Sequence, residues 1–200
     1  VSLHCPATLL VSRHGDAAYD HPPQLGNDGG RLTDTGRDQV AALAKGLADR
    51  RIAAVYSSAM TPAAQSAEIA AEALGVPARR LSGLDEVHVA DLQGAPFENP
   101  RAATAYAAWR AGDLDARLPG AESGRQVRDR LRAALETISD LHRGEHVLVF
   151  SHGALLTVVL PLVAVDLTGE AAREPFLAHA APIMLECGDD GWFIRSWPGL

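Results

Sequence analysis

Cysteine is scarce: the 200 residues contain only Cys5 and Cys187, with no CxxC spacing. That argues against a disulfide framework or a structural zinc site, and two reduced thiols suit a cytoplasmic protein. Basic residues are also in deficit, with 18 Lys and Arg against 25 Asp and Glu and a formal net charge of -7. No basic run offsets this, so neither nucleic acid nor an anionic membrane is an expected partner. A small anion held in a locally positive pocket stays possible. Long apolar runs are missing too. The longest, residues 154–165, is broken by Thr157 and Pro161 and is too short to span a bilayer. Residues 1–8 carry no basic stretch leading into an apolar one, so no signal peptide is expected. Without internal repeats, low-complexity tracts or a linker, residues 1–200 read as a single domain.

What the chain does have is organised around Leu9-Leu10-Val11-Ser12-Arg13-His14-Gly15-Asp16. An apolar run ends at once in a cation, an imidazole and a glycine, the residue that lets backbone turn sharply or approach a ligand closely. Far downstream, Val147-Leu148-Val149-Phe150-Ser151-His152-Gly153 ends in the same manner. Two strands that each deliver a histidine and a glycine at their carboxyl ends suit an open α/β sheet, where sites form outside those ends.

Periodicity fills in the rest. Residues 20–31, rich in Pro, Gly, Asn and Asp, read as an exposed loop. Thr33 caps a helix reaching about Arg50, with Val40, Leu43, Ala44 and Leu47 along its apolar stripe. After a strand over residues 52–56, Thr61 serves as N-cap and Pro62 as first residue of a helix that Gly75 stops. Residues 79–84 suggest a short edge strand, and residues 95–122 a helical insert whose helix covers 100–111. Ser123 then caps the best-patterned helix, with Val127, Leu131, Ala134, Leu135, Ile138 and Leu141 on one face and Arg, Asp and Glu on the other. Residues 154–163 read as a buried helix kinked or stopped near Pro161, and 183–196 as a terminal hairpin. The alternation predicts a three-layer α/β/α fold. Its central sheet is mainly parallel, helices cover both faces, and a helical insert and a C-terminal β-hairpin are added.

Polar residues follow the strands: Arg13-His14, Ser57-Ser58, Glu86, Glu122-Ser123 and Ser151-His152. Two imidazoles, a guanidinium and a carboxylate meeting at one point suit phosphoryl transfer. A neutral imidazole can attack phosphorus, a fixed cation offsets charge on the equatorial oxygens, and a carboxyl of raised pKa can protonate the leaving oxygen. The rival chemistry is a metal site from His14, His152 and Asp16, but Arg13 beside a ligand would repel the cation and no HExxH-like spacing occurs. Neither Ser12 nor Ser57-Ser58 lies in the G-x-S-x-G elbow of a serine hydrolase.

Six ordered blocks resemble the histidine phosphatase superfamily, which joins cofactor-independent acid phosphatases to cofactor-dependent phosphoglycerate mutases. They are Arg13-His14-Gly15, the run from Leu32 to Gln39, Tyr56-Ser57-Ser58 with Gln65-Ser66-Ala67-Glu68, Leu84-Asp85-Glu86 with Gly94, the run from Pro119 to Ser123, and Ser151-His152-Gly153. The resemblance implies that His14 is the nucleophile forming a phosphohistidine. Glu86 would protonate the leaving alcohol and then activate water. Arg13 and His152 would bind the phosphoryl group, assisted by backbone N–H groups near Ser58 or Gly153. It implies a small phosphorylated substrate, no metal and no cofactor; a monomer or homodimer is expected. A mutase is disfavoured because the chain is shorter than phosphoglycerate mutases usually are.

Two departures matter. The family's second phosphate-binding arginine falls at Pro62, and the asparagine after the first block falls at Asp20. They leave an alternative in which the chain binds a phosphorylated ligand or partner without efficient turnover. Arg31 and Arg125 are candidate replacement cations. His88 reads as a loop residue, and His4, His21, His142, His146 and His179 as structural or exposed. Phe97, Tyr106 and Trp109 in the insert are candidates either for substrate contact or for packing.

Overall fold

The computed structural model describes residues 5–19, 24–165, 177–188 and 190–199. The first half contains β1 (Thr8–Arg13), β2 (Ala17–Ala18), β3 (Arg31–Leu32), α1 (Asp34–Gly46), β4 (Ile52–Ser57), α2 (Thr61–Leu74) and β5 (Ala78–Arg80). The second contains α3 (Pro100–Arg110), α4 (Gly124–Leu141), β6 (His146–Ser151), β7 (Ile183–Gly188) and β8 (Gly191–Ser196). The main described sheet has the order β5-β4-β6-β1-β7-β8. Its first four strands are mutually parallel, and β7 and β8 close one side as an antiparallel hairpin. This is the expected α/β architecture.

Side-chain alternation decides what each face carries. In β1, Leu9 and Val11 join one apolar cluster and Leu10 the other; in β6, Val147 and Val149 part from Leu148 and Phe150 in the same way. Strand β4 breaks the rule, because Ile52 lies with Val55 while Ala54 lies with Tyr56. A register shift between Ile52 and Ala54 supplies the additional residue that flips the face. Val40 and Ala44 of α1 and Ala63, Ala67 and Ala70 of α2 cover one side. Ala102 and Trp109 of α3, Leu131 and Leu135 of α4 and the segment after β6 cover the other. Both faces being covered, the central strands carry apolar residues on both sides. No helix among the described residues is long and apolar enough to cross a membrane.

Several local expectations are corrected. The cap of α2 is Met60, without a side-chain bond, so Pro62 takes the second helical position. The predicted edge strand stops at Arg80 and a 3-10 turn, Ser82–Leu84, follows. Gly83 packs there against α4, where an added Cβ would lie 2.8 Å from the Arg130 carbonyl oxygen. Leu141, placed on the apolar face of α4, is 61% exposed in its last turn. Residues 155–162 form a π-helical stretch, Leu155–Val159, and a 3-10 turn, Leu160–Leu162, instead of a regular α-helix. Pro161 explains this, since it has no N–H for the carbonyl of Thr157 and its ring would clash there. Ser123 does cap α4, in a reciprocal box with Gln126. Part of the hairpin turn, Asp189, lies outside the described residues.

Candidate active site

Register brings the two histidines together. Strands β1 and β6 pair in parallel with Arg13 opposite Ser151, so the next residues, His14 and His152, emerge side by side. The His14 N–H donates to the Ser151 carbonyl at 3.0 Å, and the two rings meet edge-on with centroids 5.3 Å apart. From the end of β4, the Ser58 hydroxyl lies 2.6 Å from His152 Nε2. Three strand ends thus meet at one rim of the sheet, where an open α/β sheet is expected to place a site.

The neighbouring sequence blocks brace this point. Gly15 and Gly36 lie back to back: a Cβ on Gly15 would strike the Gly36 carbonyl, and one on Gly36 would strike the Asp16 carbonyl. The Gly15 N–H donates to Ser66 Oγ at 3.1 Å, and that hydroxyl donates to the Pro62 carbonyl at 2.8 Å. Thr33 Oγ1 donates to the Asp16 carboxylate at 2.7 Å and accepts the Gly36 N–H at 3.0 Å, capping α1 and tying it to the loop. The Asp16 N–H donates to Gln39 Oε1 at 2.8 Å. Thr33, Gly36, Gln39 and Ser66 therefore hold the His14 loop in place.

A backbone carbonyl can only accept, so the 2.7 Å contact of His14 Nδ1 with Gly15 O puts the ring proton on Nδ1 and a lone pair on Nε2. Burial pushes the His14 pKa down to about 4, helped by the Arg13 and His179 charges and opposed by the Gly15 bond and Asp16. Burial also holds His152 well below the ordinary histidine value, with His14, Arg13 and Arg130 adding to the effect. Arg13 reaches the Leu177 carbonyl at 3.3 Å, while its Nε is buried without a partner among the described residues. Glu86 accepts the N–H groups of Val87, Ala154 and Leu155 at 2.9, 2.9 and 2.7 Å. Loss of solvent nonetheless raises its pKa, outweighing those bonds and the Arg13 charge.

These groups line one cavity of about 930 Å³. Its lining includes Arg13, His14, Glu86, His152 and Gly153, together with Ala102, Ala103, Tyr106 and Arg110 of α3 and its cap Asn99. The lining also includes Gln24, Leu25 and Asn27, which the sequence placed in an exposed loop. Asn27 is pinned there, donating to the Val87 carbonyl and accepting the Val89 N–H.

Of the expected site residues, His14, Glu86, His152, Arg13 and Gly153 converge. Ser58 needs a correction: its N–H is taken by the Phe150 carbonyl, so only its hydroxyl serves the site. Neither proposed replacement cation lines the cavity. Arg125 pairs with Asp115 at 3.1 Å, and Arg31 sits exposed on β3. Pro62 does line it, and Arg110 is the second arginine in the wall; Asp20 lies outside the described residues. Phe97 and Tyr106 face the cavity, whereas Trp109 is fully buried and donates to the Ala116 carbonyl. Sequence reasoning missed His179, whose Nδ1 donates to the His14 carbonyl at 2.9 Å and whose ring lies 5.5 Å from the His14 ring. No motif surrounds it, and 165 positions separate the partners.

Neutral buried histidines make stability depend on pH. Unfolded His14 takes up a proton near pH 6.5, but the folded residue does so only near pH 4. Stability is thus fully present above that window and falls as the pH drops through it. His14 alone contributes a loss on the order of 3 kcal/mol. Urea unfolding at neutral and acid pH should show this decline, and the slope should flatten in His14→Ala.

The sheet thus gathers two histidines and an arginine at the ends of its parallel strands, with the Glu86 carboxyl beside them. The chain belongs to the histidine phosphatase superfamily (branch 1), whose model matches residues 9–198. The chain is 30% identical over 195 residues to a metal-independent phosphoserine phosphatase of Arabidopsis thaliana, covering 94% of this chain and 80% of that protein. It is 31% identical over 199 residues to phosphoglycerate mutase-like protein 4 of the same plant, covering 96% and 84%. Among solved structures, a mycobacterial glucosyl-3-phosphoglycerate phosphatase in complex with VO3 superposes with a TM-score of 0.78 at 23% identity, over 95% of this chain and 98% of that one. Bacillus stearothermophilus YhfR gives 0.79 at 23% identity, over 97% and 98%. These two likenesses establish the common fold.

Proposed function

We propose that the chain is a phosphomonoester hydrolase that works through a phosphohistidine on His14. The observation that carries this reading is His14 itself, a buried cavity-wall imidazole kept neutral, with its one proton committed to the Gly15 carbonyl. In the first half-reaction Nε2 attacks phosphorus, the N–P bond forms as the ester P–O bond breaks, and the Glu86 carboxyl gives its proton to the leaving alcohol. In the second, the Glu86 carboxylate takes a proton from water, the water oxygen attacks phosphorus, and the N–P bond breaks to release inorganic phosphate. Arg13, in the cavity wall, offsets charge on the transferred group, and His152, oriented by Ser58, provides a second contact. Positive charge comes from the protein, and the reading uses no metal or cofactor.

The names of the phosphatase relatives support hydrolysis of a small phosphorylated substrate. We place the protein in the cytoplasm as one domain over residues 1–200, monomeric or homodimeric, with residues 95–122 as an insert facing the substrate. A panel of phosphate esters across acid and neutral pH tests the reading. Release of inorganic phosphate above the buffer rate is expected. Rates equal to buffer would favour binding of a phosphorylated ligand without turnover.

That second reading draws on Pro62 in the cavity wall. Pro62→Arg should therefore tighten binding of phosphate or vanadate by about ten- to a hundredfold, the scale of one charge-assisted hydrogen bond. An unchanged affinity in a folded variant, read by calorimetry, would mean that another group already fills the role.

A further inference from the structure

Behind the loop that carries Glu86 lies an arginine whose hydrogen-bonding capacity is fully used. Arg130, in α4, donates from Nη1 to the carbonyls of Gly83 and Asp85 at 3.1 and 2.7 Å. Its Nη2 donates to the Glu86 carbonyl at 3.0 Å and to Glu122 at 2.8 Å, and its Nε spans both Glu122 carboxylate oxygens. A guanidinium has five N–H groups in a fixed plane, and all five are engaged. The Leu84 carbonyl is held by the Ser151 hydroxyl at 2.8 Å. Four consecutive carbonyls, Gly83 to Glu86, are thus each fixed by a side chain.

The surrounding sequence serves this arrangement. Gly83 has no Cβ, which lets the loop lie directly on α4. Glu122 immediately precedes the cap of α4, and its pair with Arg130 is largely shielded, at 19% and 20% side-chain exposure. A shielded guanidinium needs such a counter-charge. The Glu86 side chain then meets the N–H groups of Ala154 and Leu155, two and three positions beyond His152, so loop and strand end are fixed relative to each other.

We propose that Arg130, neutralised by Glu122, is a positioning residue that sets where the Glu86 carboxyl stands relative to the nucleophile. The proposal rests on the reading of Glu86 as the proton donor. A lysine keeps the charge but offers three donors from one point, and it cannot span four acceptors.

The test is the rate of phosphoenzyme formation in Arg130→Lys with two substrates. An alkyl phosphate needs a proton on its leaving oxygen, whereas p-nitrophenyl phosphate expels a stable phenolate without one. The rate should fall about a hundredfold for the alkyl ester, the scale of a misplaced catalytic group, and by no more than about threefold for p-nitrophenyl phosphate. KM should be unchanged for both. A residue that only stabilised the fold would slow both substrates together, so an equal fall, or none, overturns the proposal. Should Arg130→Lys fail to fold, Glu122→Gln decides, with the same selectivity at about tenfold expected. Glu86→Gln separates the two levels. If it shows no dependence on the leaving group, the proton-donor reading fails and the positioning role with it. If it shows that dependence while the Arg130 and Glu122 variants do not, only the positioning role fails.

Discussion

Replacing His14 by alanine is expected to lower turnover of any phosphomonoester substrate by at least about 10⁴-fold, as removal of a nucleophile that acts as part of a unit does elsewhere. Arg13, His152 and Glu86 would remain, but each handles charge or protons on a bond that nothing then attacks. The variant should still fold. His14 is buried at 2% exposure, so the truncation leaves a small void and an unpartnered Gly15 carbonyl. Against that, it removes a group that resists protonation below about pH 6.5. Circular dichroism and phosphate affinity should therefore stay near wild type while kcat collapses. Wild-type kcat in His14→Ala would overturn the proposed mechanism.

The second large effect belongs to Glu86. Glu86→Gln should cost about 10²- to 10⁴-fold in alkyl phosphate hydrolysis, the range of general acid–base catalysis. Glutamine nearly preserves the shape, yet its amide nitrogen cannot accept the N–H bonds that the carboxylate oxygens take from Ala154 and Leu155. The pH dependence is the sharper signature. Phosphoenzyme formation needs His14 neutral, which holds above about pH 4, and Glu86 protonated, which burial extends above its ordinary value of 4.5. The wild-type rate with alkyl esters should rise to an acid maximum and then decline as Glu86 ionises. In Glu86→Gln the rise should persist and the decline should vanish. A decline that persists unchanged would assign the proton to another group.

Much of this site was legible in the chain because strand ends announce it. An apolar run that stops at Arg13-His14-Gly15, matched by one that stops at Ser151-His152-Gly153, needs only parallel pairing in step to bring the imidazoles together. Helix α4 was legible for similar reasons, since its apolar face and its Ser123 cap are both local patterns. What escaped was contact between side chains and distant backbone. On a helical wheel Arg130 falls with the polar residues of α4, and nothing in the periodicity distinguishes a solvated arginine from one that clasps three carbonyls of another loop. Asn27 sits in a Gly- and Asp-rich stretch that looks exposed, yet both ends of its amide are taken by the segment after Glu86. His179 enters the site from beside the terminal hairpin, where no pattern marks it. Nor could composition choose among arginines: Arg31 and Arg125 look as suitable as Arg110, and only the packing of α3 puts Arg110 in the cavity wall.

The most direct test of the phosphohistidine mechanism is to quench the working enzyme in alkali and ask where the phosphate resides. An alkali-stable, acid-labile phosphate on His14 is the predicted result, formed as fast as alcohol is released and lost as fast as inorganic phosphate appears. Steady hydrolysis with the phosphate on another residue, or with His14 never modified, would contradict it.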